Sequence, residues 1–251
     1  MKRILCVLSA AFLVLTSCSN DDNSSKGDDS SKPAAVLVKK FVYTEKNGTY
    51  TDEVVYEGNK ITTITNSDGG GVKFTYDGNV ITKIESFDED GELYLLEEYT
   101  YNKEKLSTSI RKEIGYKFYY KTNYTHNADG TISYEEIEGT VETGSEEKTG
   151  QTGKYTYANG NLIKNERFGK LSESVTTYDY DDKNNPYKNI IGFSLLLNKE
   201  KSNYNNPVKR TSDQDSSTTY EYKYDNSNYP TEQVISHSEK SVSPITVQFE
   251  Y

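Results

Sequence analysis

One motif recurs down this chain and leaves few folds open to it. A short strand ends in an aromatic residue, a polar turn follows, and a β-branched strand returns. The first copy is Val54-Val55-Tyr56-Glu57-Gly58-Asn59-Lys60-Ile61-Thr62-Thr63-Ile64, and the second is Phe74-Thr75-Tyr76-Asp77-Gly78-Asn79-Val80-Ile81-Thr82-Lys83-Ile84. Tyr56, Tyr76, Tyr101, Tyr124, Tyr157, Tyr180, Tyr204 and Tyr224 form a series with spacings of 20, 25, 23, 33, 23, 24 and 20 residues. A period near 24 is one β-hairpin plus its connection. Asp77-Gly78, Asp90-Gly91, Asp129-Gly130 and Asn159-Gly160 supply the turns, because Gly takes positive φ at little cost and Asn or Asp tolerates it.

This pattern predicts an all-β domain, an antiparallel hairpin meander curled into a soluble barrel or half-barrel. The alternative is an open single-layer sheet. Ile61 and Ile64, like Ile81 and Ile84, lie three apart, so a regular strand would split each pair between two faces. Either a bulge re-aims one residue or both faces are covered. The run from Asn189 to Asn198 carries Leu195-Leu196-Leu197 and breaks the alternation. It is expected to form a short helical turn plugging one end of the sheet.

The strands resemble YD (Rhs-type) repeats most closely at Tyr76-Asp77-Gly78-Asn79-Val80-Ile81-Thr82-Lys83-Ile84, and Tyr157-Ala158-Asn159-Gly160-Asn161-Leu162-Ile163 keeps the shape without the Asp. Tyr180 to Asn189, echoed by Asn206-Pro207 and Tyr229-Pro230, resembles a closing segment of Bacteroidota lipoproteins. Those lipoproteins belong to a domain family of unknown function with a porin-like β fold. The resemblance implies a fold and a location, and no reaction. A membrane-spanning barrel needs strands of about 9–11 residues with an apolar outer face. The strands here read as shorter and charged on either face, and the mean hydropathy is −0.83.

Residues 1–17 read as a signal peptide: Lys2 and Arg3 precede the apolar run Ile4 to Leu15. Leu15-Thr16-Ser17-Cys18 resembles a bacterial lipobox, which implies lipidation of Cys18 and attachment to a membrane through that anchor. An ordinary secretory signal with a nearby cysteine is the alternative. Residues 18–35 form an acidic, flexible tether. Its acidic residues resemble the export signal of Bacteroidota surface lipoproteins, so the expected location is the outer membrane, facing outward. Residues 36–251 are then a single repeat domain. Cys6 goes with the leader and Cys18 is acylated, so the domain has no thiol for a disulfide, a zinc site or a nucleophile.

Composition narrows the chemistry. The net charge of −10 becomes −12 once Lys2 and Arg3 are removed, which argues against nucleic acid as partner. Leu, Ile, Val and Phe make up only about 18% of the remainder, a disorder-like level that the 23 tyrosines offset, since each has a ring to bury and a hydroxyl that can stay wet. His126 and His237 lie in no nucleophile pattern. Glu97-Glu98, Glu135-Glu136-Glu138 and Asp181-Asp182 are paired carboxylates by type alone. Asp88 to Glu92 starts like a calcium loop and lacks its later acids. No cofactor is expected.

The tyrosine ladder is the one strong candidate surface, with Tyr99, Tyr101, Tyr155, Tyr157, Tyr178 and Tyr180 as candidate ligand-binding residues. The bland account of the same residues is cross-strand packing. The reading is a non-enzymatic binding or scaffold module on the cell surface, taking a neutral or cationic glycan or peptide. A carbohydrate-active hydrolase, or a glycan-binding component of a nutrient-uptake system, is the alternative.

Overall fold

The structure, a computed structural model, describes residues 35–169, 173–197, 201–212, 216–239 and 241–251. The signal peptide, Cys18 and all of the tether but Ala35 lie outside the described residues. The strands come in hairpin pairs. They are β1 (Lys40–Glu45), β2 (Gly48–Glu57) and β3 (Lys60–Asn66), β4 (Gly71–Asp77) and β5 (Val80–Phe87), and β6 (Leu93–Asn102) and β7 (Lys105–Glu113). Next are β8 (Phe118–His126) and β9 (Ile132–Thr140), β10 (Glu146–Ala158) and β11 (Asn161–Phe168), and β12 (Glu173–Tyr180) and β13 (Pro207–Ser212). The last are β14 (Ser217–Tyr224), β15 (Pro230–His237) and β16 (Ile245–Glu250). Every strand pairs antiparallel with its sequence neighbours, and β1 pairs with β16, so the sheet is a closed barrel of sixteen strands. The open-sheet alternative is thereby excluded.

Of the two readings left open by the isoleucine spacing, the bulge is the one realised, and it is repeated. Val55 pairs with Thr63 and Tyr56 with Ile61, which leaves Thr62 without an opposite residue. Ile61 and Ile64 can therefore both face the lumen. The register shifts in the same way before Tyr76, Tyr101, Tyr157, Tyr180 and Tyr224. The extra residue is often a hydroxyl that bonds back to a backbone carbonyl across the pair: Thr62 to Val55 at 3.1 Å, Thr82 to Thr75 at 3.3 Å, and Ser107 to Thr100 at 2.9 Å.

At the β2–β3, β4–β5, β6–β7 and β10–β11 turns the bulge aims an aromatic residue and an aliphatic one inward. Val38, Ile61, Ile81, Leu106 and Leu162 are almost fully buried there, each contributing roughly 1.5–3 kcal/mol of burial. A tyrosine hydroxyl then reaches back one repeat. Tyr56 donates to the Val38 carbonyl at 2.7 Å, Tyr101 to Ile81 at 2.8 Å, Tyr180 to Leu162 at 2.8 Å, and Tyr251 to Pro230 at 3.0 Å. These latches span 18 to 21 residues, so each ties its strand to the hairpin before it, while the Tyr76 hydroxyl goes instead to the Ile191 carbonyl at 3.2 Å.

Two members of the tyrosine series need correction. The fourth repeat uses His126, not Tyr124: His126 pairs with Ile132, and its Nε2 lies 2.9 Å from the Leu106 carbonyl. Tyr124 sits two residues further into the lumen. Tyr204 begins no strand. It lies in the long β12–β13 connection, where its ring covers Gly160.

That connection fills the barrel. A sixteen-stranded barrel is too wide for its own wall side chains to close. Ile190, Phe193 and Leu196 enter the core cluster beside Val54, Ile61 and Phe74, with a single 3-10 turn at Phe193–Leu195, as the leucine run predicts. Asparagines hold this plug to the turns. Asn203 Oδ1 accepts from the Leu162 amide at 2.8 Å, and Asn161 Oδ1 accepts from the amides of Tyr204 and Asn205 at 2.9 and 3.0 Å.

The outer wall is polar. Ion pairs run across it, among them Lys112–Glu98 at 2.6 Å, Lys223–Glu232 at 2.7 Å and Lys164–Glu166 at 2.8 Å. The strands are not as short as the sequence reading held: β2 and β6 have ten residues and β10 has thirteen. Length therefore does not separate this barrel from a membrane-spanning one. A lysine facing lipid at mid-membrane would cost roughly 2–4 kcal/mol, and Lys112, Lys164 and Lys223 lie on this wall.

Candidate functional site

The lumen is not filled evenly. A cavity of about 570 Å³ lies beside the plug, between β3 and β8. Its size is that of a small-molecule site, typically about 300–1,000 Å³. One side is apolar: Ile64, Val72, Phe74 and Ile84 from the wall, and Phe193 and Leu196 from the plug. The other side is polar and comes from three consecutive strands, with Glu97 and Tyr99 on β6, Ser109 and Arg111 on β7, and Tyr124 on β8. Lys201, from the plug connection, completes it.

Register explains the grouping. Ile84, Glu97 and Arg111 are successive partners across β5, β6 and β7, so their side chains share the inner face. Burial holds the Glu97 carboxyl above the usual carboxylate range. Arg111, a hydrogen bond from Tyr99 and Lys201 pull it back only in part. Burial, with Glu97 adding to it, pushes the Tyr99 hydroxyl up as well. Ser109 and Tyr124 hydroxyls are 3.1 Å apart. Arg111 also meets Glu113 at 3.1 Å, where both side chains are about half exposed and the pair is correspondingly weak. Lys201 Nζ stands 5.5 Å from the centre of the Tyr187 ring.

Two smaller spaces adjoin the plug. One of about 120 Å³ lies against Tyr43, Tyr187, Tyr222 and Phe249 and is also bordered by Lys201. The other, about 350 Å³, sits at the latch end beside His126, Tyr157 and Tyr204. Leu197 borders both this space and the main cavity.

The six candidate tyrosines do not converge. Tyr99 lines the main cavity and Tyr157 the latch-end space. Tyr101 and Tyr180 spend their hydroxyls on latches. Tyr155 and Tyr178 are buried in a second core cluster, where Tyr155 packs against Tyr134 with ring centres 4.9 Å apart. The carboxylate pairs separate too, because strand neighbours face opposite ways. Glu97 looks inward while Glu98 pairs with Lys112, and Glu135 and Glu136 go to Lys148 and Arg167. Asp181 receives the Asn206 amide at 3.1 Å and the Tyr224 hydroxyl, whereas Asp182 is exposed. Asp88 Oδ1 accepts the amides of Asp90 and Glu92, as a turn aspartate does. Among the described residues no group of three or more His, Cys, Asp or Glu is placed to hold a metal ion.

Sequence reasoning missed Arg111 and Lys201. For Glu97 a signal existed: Leu95, Glu97, Tyr99 and Tyr101 alternate on one face, so whatever faces the lumen with the tyrosines includes this glutamate. For Arg111 the bulge at Ser107 shifts the alternation, and the strand alone conceals the face.

Comparison with known proteins adds the fold. No protein-family model and no curated protein matches the chain. Among solved structures the barrel is similar to a porin-like protein from Bacteroides uniformis, with 16% identity, a TM-score of 0.52, and coverage of 86% of this chain and 96% of that one. At that identity the likeness is one of fold alone.

Proposed function

We propose that this chain is a lipid-anchored lipoprotein of the outer membrane, facing outward, whose barrel binds a small ligand in its lumen without transforming it. The observation that carries the binding role is the cavity beside the plug, half apolar and half polar, in a barrel whose lumen is largely filled by the β12–β13 connection and the core around it. The anchor rests on Leu15-Thr16-Ser17-Cys18 and the acidic stretch after it. A charged outer wall suits a barrel held beside the membrane, and the porin-like neighbour from a Bacteroides species fits that setting. The YD-type repeats and the Tyr180–Asn189 segment support the same family of surface proteins.

Two substitutions test the parts separately. Cys18→Ala should release the protein from membranes and abolish acylation; a variant that still partitions with lipid refutes the anchor. Ile84→Trp, which projects an indole into the apolar half of the cavity, should weaken binding of hits from a glycan, peptide and amphiphile panel. Unchanged binding refutes the lumen as the site.

One observation favours a second reading, a hydrolase acting on a glycan. Glu97 has the raised carboxyl of a general acid and a tyrosine neighbour. Product release by the wild type that vanishes in Glu97→Gln would establish it.

A further inference from the structure

We propose that the lumen takes an amphiphilic anion, a molecule with one carboxylate-like head and an aliphatic tail, its head at Arg111 and Lys201 and its tail against Ile84, Phe74 and Leu196. This rests on the reading of the lumen as the binding site and commits that reading to a ligand class.

The walls dictate the shape. A sugar offers hydroxyls in every direction, and the side formed by Ile64, Val72, Phe74 and Ile84 has only the neighbouring Ser86 hydroxyl to meet them. Each ligand hydroxyl placed there would lose its water partners. A purely apolar molecule would fail on the other side, where Arg111, Glu97 and Tyr99 would be stripped of solvent. An amphiphile satisfies both walls at once.

The head group follows from local charge. The chain is acidic overall, which by itself would repel an anion. Salt limits that repulsion to roughly 8 Å in physiological solution, so the lumen answers to its own groups. The cavity lining holds two cations, Arg111 and Lys201, and the Glu97 carboxylate, with Glu113 paired to Arg111 beside it. Burial favours the neutral form of Glu97, which leaves the cations in excess. Glu113 pairs with Arg111 through one guanidinium nitrogen at 3.1 Å. A planar guanidinium carries five N–H donors, enough to receive a second carboxylate. Lys201 keeps its contact with the Tyr187 ring in this arrangement.

The test uses the full chain in lipid nanodiscs, with octanoate, octanol and octylammonium as probes and empty nanodiscs as blanks, read by calorimetry. Octanoate should bind most tightly, octanol weakly and octylammonium least. Arg111→Met should weaken octanoate by at least about ten-fold, the worth of a charge-assisted contact, and leave octanol unchanged. Lys201→Gln provides an independent variant in a connection, with Lys223→Met on the outer wall as control. Equal binding of octanoate and octanol, unaffected by either substitution, would overturn the anionic class while keeping the lumen as the site. Octanoate binding that survives Ile84→Trp would overturn both.

Discussion

The Nε2 of His126 lies 2.9 Å from the carbonyl oxygen of Leu106, in the place where neighbouring repeats put a tyrosine hydroxyl. A carbonyl only accepts, so Nε2 carries the proton. The latch therefore needs an inward donor of about this reach and no particular ring. His126→Tyr should leave thermal stability within about 1 kcal/mol of the wild type, whereas His126→Ala should cost roughly 1–3 kcal/mol by stranding the Leu106 carbonyl. Tyr101→Phe, which removes the donor to Ile81, should fall between them. Urea unfolding followed by circular dichroism measures all three. A His126→Ala protein as stable as the wild type would show that the latches do not stabilise the barrel.

The β6–β7 turn is built from the wrong residues for its shape. Lys103 and Glu104 have φ of 50° and 62°, a left-handed pair that elsewhere in the barrel falls to Asn159-Gly160. A side chain in that region costs about 1–2 kcal/mol. Glu104→Gly should raise stability by about 0.5–1 kcal/mol after its own loss of unfolded-state restriction. A lower melting temperature would refute the account.

Gly153 stands opposite Tyr134 in the β9–β10 register, and a Cβ built there would fall inside the buried Tyr134 ring. Gly139 stands opposite Tyr119 in the same way, and a Cβ there meets that ring too. The two differ in what can give. Tyr134 is 6% exposed and locked in the second core cluster, while the Tyr119 hydroxyl reaches Glu146 on the outer surface. Gly153→Ala should cost about 1–3 kcal/mol, the range for overpacking, and Gly139→Ala distinctly less. The reverse order would mean that the inner wall repacks more easily than the outer.

Alkali should unfold the barrel. Burial pushes the Tyr76 and Tyr134 hydroxyls up to about 12, and those of Tyr43, Tyr99, Tyr155 and Tyr222 higher still. The folded state thus favours the neutral phenol. Its contribution is fully present below the unfolded value near 10 and is lost as pH rises through the folded values. The tyrosinate absorbance of the buried rings should appear in a cooperative step above pH 10 that coincides with loss of the β-sheet signal. Complete titration of all the tyrosines with the sheet intact would contradict this.

Much of the fold was legible locally. Turn chemistry placed the hairpins, Tyr-x-Tyr set the inner face, and the pairs Ile61/Ile64 and Ile81/Ile84 left a bulge as one of two readings. The plug declared itself through Leu195-Leu196-Leu197, because three apolar neighbours cannot all face one side of a strand. These are properties of a few adjacent residues, and adjacent residues determine φ, ψ and alternation.

Closure, the count of sixteen and the cavity were decided only in three dimensions. Lys40 meets Glu250 and Phe41 meets Phe249 across almost the whole chain, and whether those edges meet depends on the summed twist and stagger of every strand between them. The substitution of His126 for a latch tyrosine was hidden for a related reason. Tyr124 has the residue type that the series leads one to expect and His126 does not, and only pairing with Ile132 shows which of them occupies the repeat position. The cavity wall needs three strands in register before Ile84, Glu97 and Arg111 form one inward row, and it needs the plug to stop short of them. No one of those conditions is a property of a short stretch of sequence.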